Sequence, residues 1–97
     1  MAETVDEITL NYEEDGQQLV KELDKEILTR GAWTTILFRY RQWDKKTEAF
    51  GKDLFTIRRY RKVQGNYLPQ SKFNISNREQ AAKIVAVLEK WLAAQKG

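Results

Sequence analysis

A chain of 97 residues with 41% hydrophobic residues, 17 basic and 14 acidic side chains and a formal charge of +3 has room for one domain and the composition of a globular one. It contains no cysteine and no histidine, which excludes disulfide frameworks, thiol nucleophiles, Cys/His zinc sites and histidine acid–base catalysis. No basic region precedes an apolar run at the N-terminus, and no apolar run approaches the roughly 18 residues of a membrane helix, so a soluble, cytoplasmic protein is expected, nucleoid-associated if it binds DNA.

The charge is unevenly placed. Residues 1–20 hold six acids (Glu3, Asp6, Glu7, Glu13, Glu14, Asp15) and no base, so residues 21–97 carry all 17 bases against the remaining 8 of 14 acids, a net of +9. A body so basic attracts polyanions, although excess charge also serves solubility. Residues 1–18 read as an acidic N-terminal lead, weakly structured or holding one short strand, because Ile8, Leu10 and Tyr12 alternate with polar residues before Asp15–Gly16 breaks the pattern. Residues 19–97 read as a single sheet-plus-helix domain.

Within it, "LVKELDKEILTR" spaces Leu19, Leu23 and Ile27 by four, which suits one face of a helix and equally one side of a strand. Propensity favours the helix. From Trp33 the period is two: Ile36, Phe38 and Tyr40 share one face, and Trp33, Thr35, Leu37, Arg39, Arg41 and Trp43 the other. A charged connection, Asp44 to Asp53, leads to a strand in which Phe55, Ile57, Arg59 and Arg61 alternate with Thr56, Arg58, Tyr60 and Lys62. "QGNYLPQ" reads as a turn region and "SKFNIS" as a short strand. The chain then enters a helix through a capping box, Ser76 with Glu79, followed by the apolar stripe Ala81, Ile84, Val85, Leu88 and Leu92. Val87 and Trp91 widen that stripe, so a second copy of the helix is expected against Val87, Leu88 and Trp91, a deeper intramolecular core being the alternative.

Strands followed by a helix imply an α+β fold, an antiparallel sheet with the helix over one face. With Ile36, Phe38, Tyr40, Phe55 and Ile57 under the helix, the open face would carry Arg39, Arg41, Arg58 and Lys62 among Trp43 and Tyr60. Cations that neutralise phosphates, interleaved with rings that stack unpaired bases, suit single-stranded nucleic acid. Arg59, Arg61 and Lys72 are secondary candidates. A solvated basic face or a surface for an acidic protein partner accounts for the same pattern. The acidic lead could fold over the basic face in imitation of nucleic acid, or remain a solvated tail. No nucleophile, metal-ligand spacing or phosphate-binding glycine loop is found, and Asp44, Glu48 and Asp53 sit in a lysine-rich connection. Neither an enzyme nor a cofactor nor a small-molecule substrate is expected.

The order "AWTTILFRYRQWD", "LFTIRRYRKV" and "SKFNISNREQAAKIVAVLEKWL" resembles the transcriptional coactivator (positive cofactor four) family, in particular its small bacterial members. The resemblance lies chiefly in Phe55-Thr56-Ile57-Arg58 followed by Tyr60, and in "FNISNREQ". It covers about 60 residues, from Ala32 to Leu92, and departs from the family at "PQSKF", where lysine–glycine spacing is reduced to Lys72. It implies a four-stranded antiparallel sheet with a C-terminal helix (β-β-β-β-α), Leu19–Thr29 as the first strand, dimerisation through the helix, and sequence-tolerant binding of single-stranded DNA across the sheet. RNA is the alternative ligand.

Overall fold

The computed structural model describes residues 2–95. A 3-10 turn, Val5–Glu7, precedes six strands: β1 (Tyr12–Glu14), β2 (Gln17–Thr29), β3 (Trp33–Asp44), β4 (Ala49–Phe50), β5 (Leu54–Val63) and β6 (Asn66–Ile75). One helix, α1 (Arg78–Ala94), follows. All pairings are antiparallel in the order β1-β2-β3-β5-β6, with β4 a two-residue side pairing on β3. The class is α+β as expected, with six strands rather than four.

Two tight turns set the sheet. Asp15 and Gly16 (φ 50° and 81°) join β1 to β2, and Gln64 and Gly65 (φ 50° and 83°) join β5 to β6. Positive φ at both central residues matches the right-handed twist of paired strands and is cheap where glycine takes the second position. The first turn launches residues 17–29 as a strand, and pairing along β3 from Val20↔Gln42 to Thr29↔Thr35 overrides their helical propensity. Register shifts within β2, at Glu22/Asp24 and Ile27/Thr29, are bulges that bend and coil the sheet.

The supposed turn "QGNYLPQ" is mostly strand. Only Gln64 and Gly65 turn, and β6 runs on through Pro69. That strand lies at the sheet edge, where a missing N–H is tolerated, and the register slips beside the proline, between the Arg59↔Ser71 and Tyr60↔Pro69 pairs.

The core is not where a helix-covered sheet would have it. Val5, Ile8 and Leu10 pack with Ile36, Phe38, Tyr40 and Tyr60 in one buried cluster. The segment before β1 therefore covers the sheet face, and it is fastened there. Lys25 Nζ donates to the carbonyls of Asp6 (2.8 Å) and Ile8 (2.6 Å), while Glu22 Oε1 accepts from Leu10 N (3.1 Å) and Thr9 Oγ1 (2.8 Å). Thr34 and Thr56 are fully buried, their hydroxyls donating to Gly31 O (3.0 Å) and Asn74 Oδ1 (2.7 Å). Buried hydroxyls so paired carry little desolvation penalty.

The helix begins one residue later than its sequence suggests. Asn77 is the N-cap, its side chain accepting from Gln80 N at 2.8 Å, and Gln80 Oε1 in turn accepts from Ser76 N. Gln80 thus fills the place expected of Glu79. None of the helix residues is buried: α1 leaves the edge strand β6 and leans on it with the half-buried Gln80, Ala81, Ile84 and Val87. The helix does not roof the sheet, because residues 2–10 already do.

Candidate nucleic-acid interface

The β3–β5 register decides which side chains share a surface. Ile36 lies opposite Arg58, Phe38 opposite Thr56 and Thr34 opposite Tyr60, so Thr56, Arg58 and Tyr60 belong to the core-side face. Phe55, Ile57, Arg59 and Arg61 stand with Trp33, Thr35, Leu37, Arg39 and Arg41 on the other. The alternation within β5 is as expected, but its assignment to faces is reversed. A period of two says which residues share a side and nothing about which side that is.

The expected site is therefore divided. Tyr60 is only 6% exposed, packed in the core, and burial raises its phenol above the ordinary range; it offers no ring to a base. Arg58 is half-buried on the core-side face, its Nε 3.4 Å from Thr56 Oγ1, with Lys72 opposite it on β6. Lys62 lies on that face too, 5.6 Å from the ring centroid of Tyr67. These three cations therefore lie on the face opposite to Arg39 and Arg41.

The open face carries two clusters of cations and rings along β3. At one end Arg59 and Arg61 approach the Trp33 indole, their guanidinium carbons 4.6 and 5.5 Å from the ring centroid. At the other, Trp43 meets Phe50 of β4 edge-on at 5.2 Å, and Lys21 Nζ lies 5.7 Å from the Phe50 centroid. Such cation–ring contacts contribute about 0.5–1 kcal/mol where exposed. Between the clusters lie the half-buried Leu37, Phe55 and Ile57, the exposed Phe73 opposite Ile57 on β6, and the arginines Arg39 and Arg41.

Those two arginines are already engaged. Asp53 accepts from Arg41 Nε at 2.6 Å and from Arg39 Nη1 at 3.2 Å. The hydrogen bond from Arg41, with the charges of both guanidiniums, holds the Asp53 carboxyl below the usual aspartate range. Phosphate would have to compete with an internal carboxylate there. Among the described residues Arg59 and Arg61 make no such pair.

The site residues that the sequence did not single out are Trp33, Lys21 and Phe50. Trp33 shares the alternation of Arg39 and Arg41, so its face was legible. Lys21 and Phe50 required the β2 and β4 pairings, for which there was no local signal. Residues 2–10 of the acidic lead lie across the core-side face, with Asp6 paired to Arg30 at 3.3 Å and Glu7 capping Thr4, while Tyr12–Glu14 joins the sheet as β1. It does not cover Arg39, Arg41, Arg59 or Arg61. Exposed apolar side chains concentrate on α1: Val85 (54%), Leu88 (49%), Trp91 (60%) and Leu92 (64%). Of the expected dimer residues Leu88 and Trp91 are exposed, and Val87 is half-buried beside them. No described helix is long and apolar enough to cross a membrane. Searches against protein-family models, curated proteins and solved structures find no significant match.

Proposed function

We propose that the protein binds single-stranded DNA with little sequence preference, as a non-enzymatic homodimer. The observation that carries this reading is one open sheet face on which Lys21, Arg39, Arg41, Arg59 and Arg61 alternate with the rings of Trp33, Trp43 and Phe50. Cations along a groove track phosphates, and exposed rings accept bases of any identity. The resemblance to the coactivator family points the same way.

Two quantities support the dimer. The chain exposes 7552 Å², against about 5,800 Å² for a compact monomer of this mass. Its radius of gyration is 15.7 Å, against about 12.5 Å for a compact domain of this length. An unpartnered helix with an apolar stripe contributes to both, and a second copy against that stripe would bury part of the exposed area.

The test is fluorescence anisotropy of a labelled oligo-dT of roughly 20 nucleotides at two salt concentrations, with matched duplex and RNA oligonucleotides alongside. Single-strand binding that exceeds duplex binding and weakens with salt is the expected result. Equal affinity for duplex would reduce the face to general electrostatics, and no binding at low salt would end the reading.

A further inference from the structure

We infer that Trp33, Arg59 and Arg61 form a discrete subsite for one unpaired nucleotide, the base lying on the indole and its phosphate held by the guanidiniums. The inference rests on the single-strand reading above and locates its main contact. The register singles out this tryptophan. Arg61 stands directly opposite Trp33 on β5 and Arg59 is its diagonal neighbour, so both guanidiniums reach the ring from β5, at 5.5 and 4.6 Å from its centroid. On the other side, β2 ends at the Thr29↔Thr35 pair, and no strand continues past it to stand beside Trp33. The chain there turns through Gly31, which has no side chain, and the indole is 43% exposed. A flat ring can therefore stack from the β2 side while the arginines remain on the β5 side.

Charge favours this end as well. Arg39 and Arg41 share the Asp53 carboxylate, whereas Arg59 and Arg61 have no carboxylate partner among the described residues. A phosphate arriving at Trp33 displaces no internal anion. Trp43, by contrast, is half-buried and already meets the edge of Phe50. A planar base with an attached anion matches a ring with one open side and two free guanidiniums, which a purely apolar or purely acidic ligand does not.

The experiment compares wild-type protein with W33A, W33F and the double variant R59Q/R61Q in the oligo-dT titration, thermal unfolding confirming the fold of each. W33A is expected to weaken binding about 5- to 150-fold, the range for removal of one base stack, with the salt slope unchanged. W33F, which keeps a ring, should retain most of the affinity, and R59Q/R61Q should flatten the slope by about 0.7 for each phosphate no longer neutralised. Wild-type binding with W33A within twofold of it overturns the subsite and leaves the single-strand reading standing; absence of wild-type binding overturns both. Should W33A not fold, fluorine resonances of wild-type protein labelled with 5-fluorotryptophan, assigned through W33F, decide the matter. A Trp33 signal that shifts on adding oligo-dT supports the subsite, and one that stays fixed while binding occurs overturns it.

Discussion

The carboxylate of Asp53 accepts from two guanidiniums at once, and among the described residues it is the carboxylate ion-paired with the arginines of the open face, where Asp24 and Glu26 also stand on β2. Replacing Asp53 with Asn frees Arg39 and Arg41; oligonucleotide affinity at low salt should rise severalfold and its salt dependence steepen. Thermal unfolding should change little, since solvent screens exposed ion pairs. Because the folded carboxyl titrates below the ordinary value of 3.8, its contribution is present above that pH and is lost as pH falls through the depressed value. A carbon-detected titration of Asp53 should show that low midpoint in wild type and a higher one in R41A. Tyr60 behaves oppositely. Burial raises its pKa above 10.0, so the unfolded chain ionises first and stability should decline as pH rises through that value. Changing Tyr60 to Ala should cost about 3–5 kcal/mol by chemical denaturation, as for other large core rings, so weakened DNA binding by that variant would not report a stacking contact.

At the scale of elements, the N-terminal segment is the unexpected structural member. Were it a detachable acidic strap over the proposed binding face, removing it would raise affinity. It instead supplies Val5, Ile8 and Leu10 to the core and is tied to β2 through Lys25 and Glu22. Deleting residues 2–11 should therefore lower the unfolding midpoint sharply. Replacing Ile8, 3% exposed, with Ala should alone cost about 2–5 kcal/mol, read from denaturant unfolding. Strand β3 is the other governing element. Trp33 and Trp43 sit ten residues apart on it, roughly 33 Å of extended chain, shortened by the coil of the sheet. Oligonucleotides too short to reach both ends should bind with only part of the full affinity, and a length series would show the plateau.

For the whole molecule, dimensions of 52 × 38 × 17 Å describe a thin plate with a helix running off its edge. Such a shape leaves apolar area in water that a second copy can remove, at about 25 cal/mol per Å². Replacing Leu88 with Glu should convert a dimer to a monomer in light scattering while leaving the sheet's circular dichroism intact. If each subunit brings one open face, the monomeric variant should also lose the avidity of two linked sites on long oligonucleotides.

What the sequence determined by itself was whatever depends on neighbours a few residues apart. The alternation in β3, the Asp15–Gly16 turn, the C-terminal helix and its excess of apolar side chains all follow from local periods and backbone preferences. Cations and rings on one face of Trp33 to Trp43 were legible for the same reason. The tertiary structure alone decided three things. It chose strand over helix for residues 17–29, because pairing with β3 outweighs propensities of a few tenths of a kcal/mol per residue. It placed Tyr60 inside and Arg59 and Arg61 outside, because register between strands distant in sequence flips every side chain when shifted by one. And it gave residues 2–10, rather than the helix, the task of closing the core, because apolar burial has no direction along the chain: the segment that reached Ile36 and Phe38 in the fold was marked only by Val5, Ile8 and Leu10 among its acids.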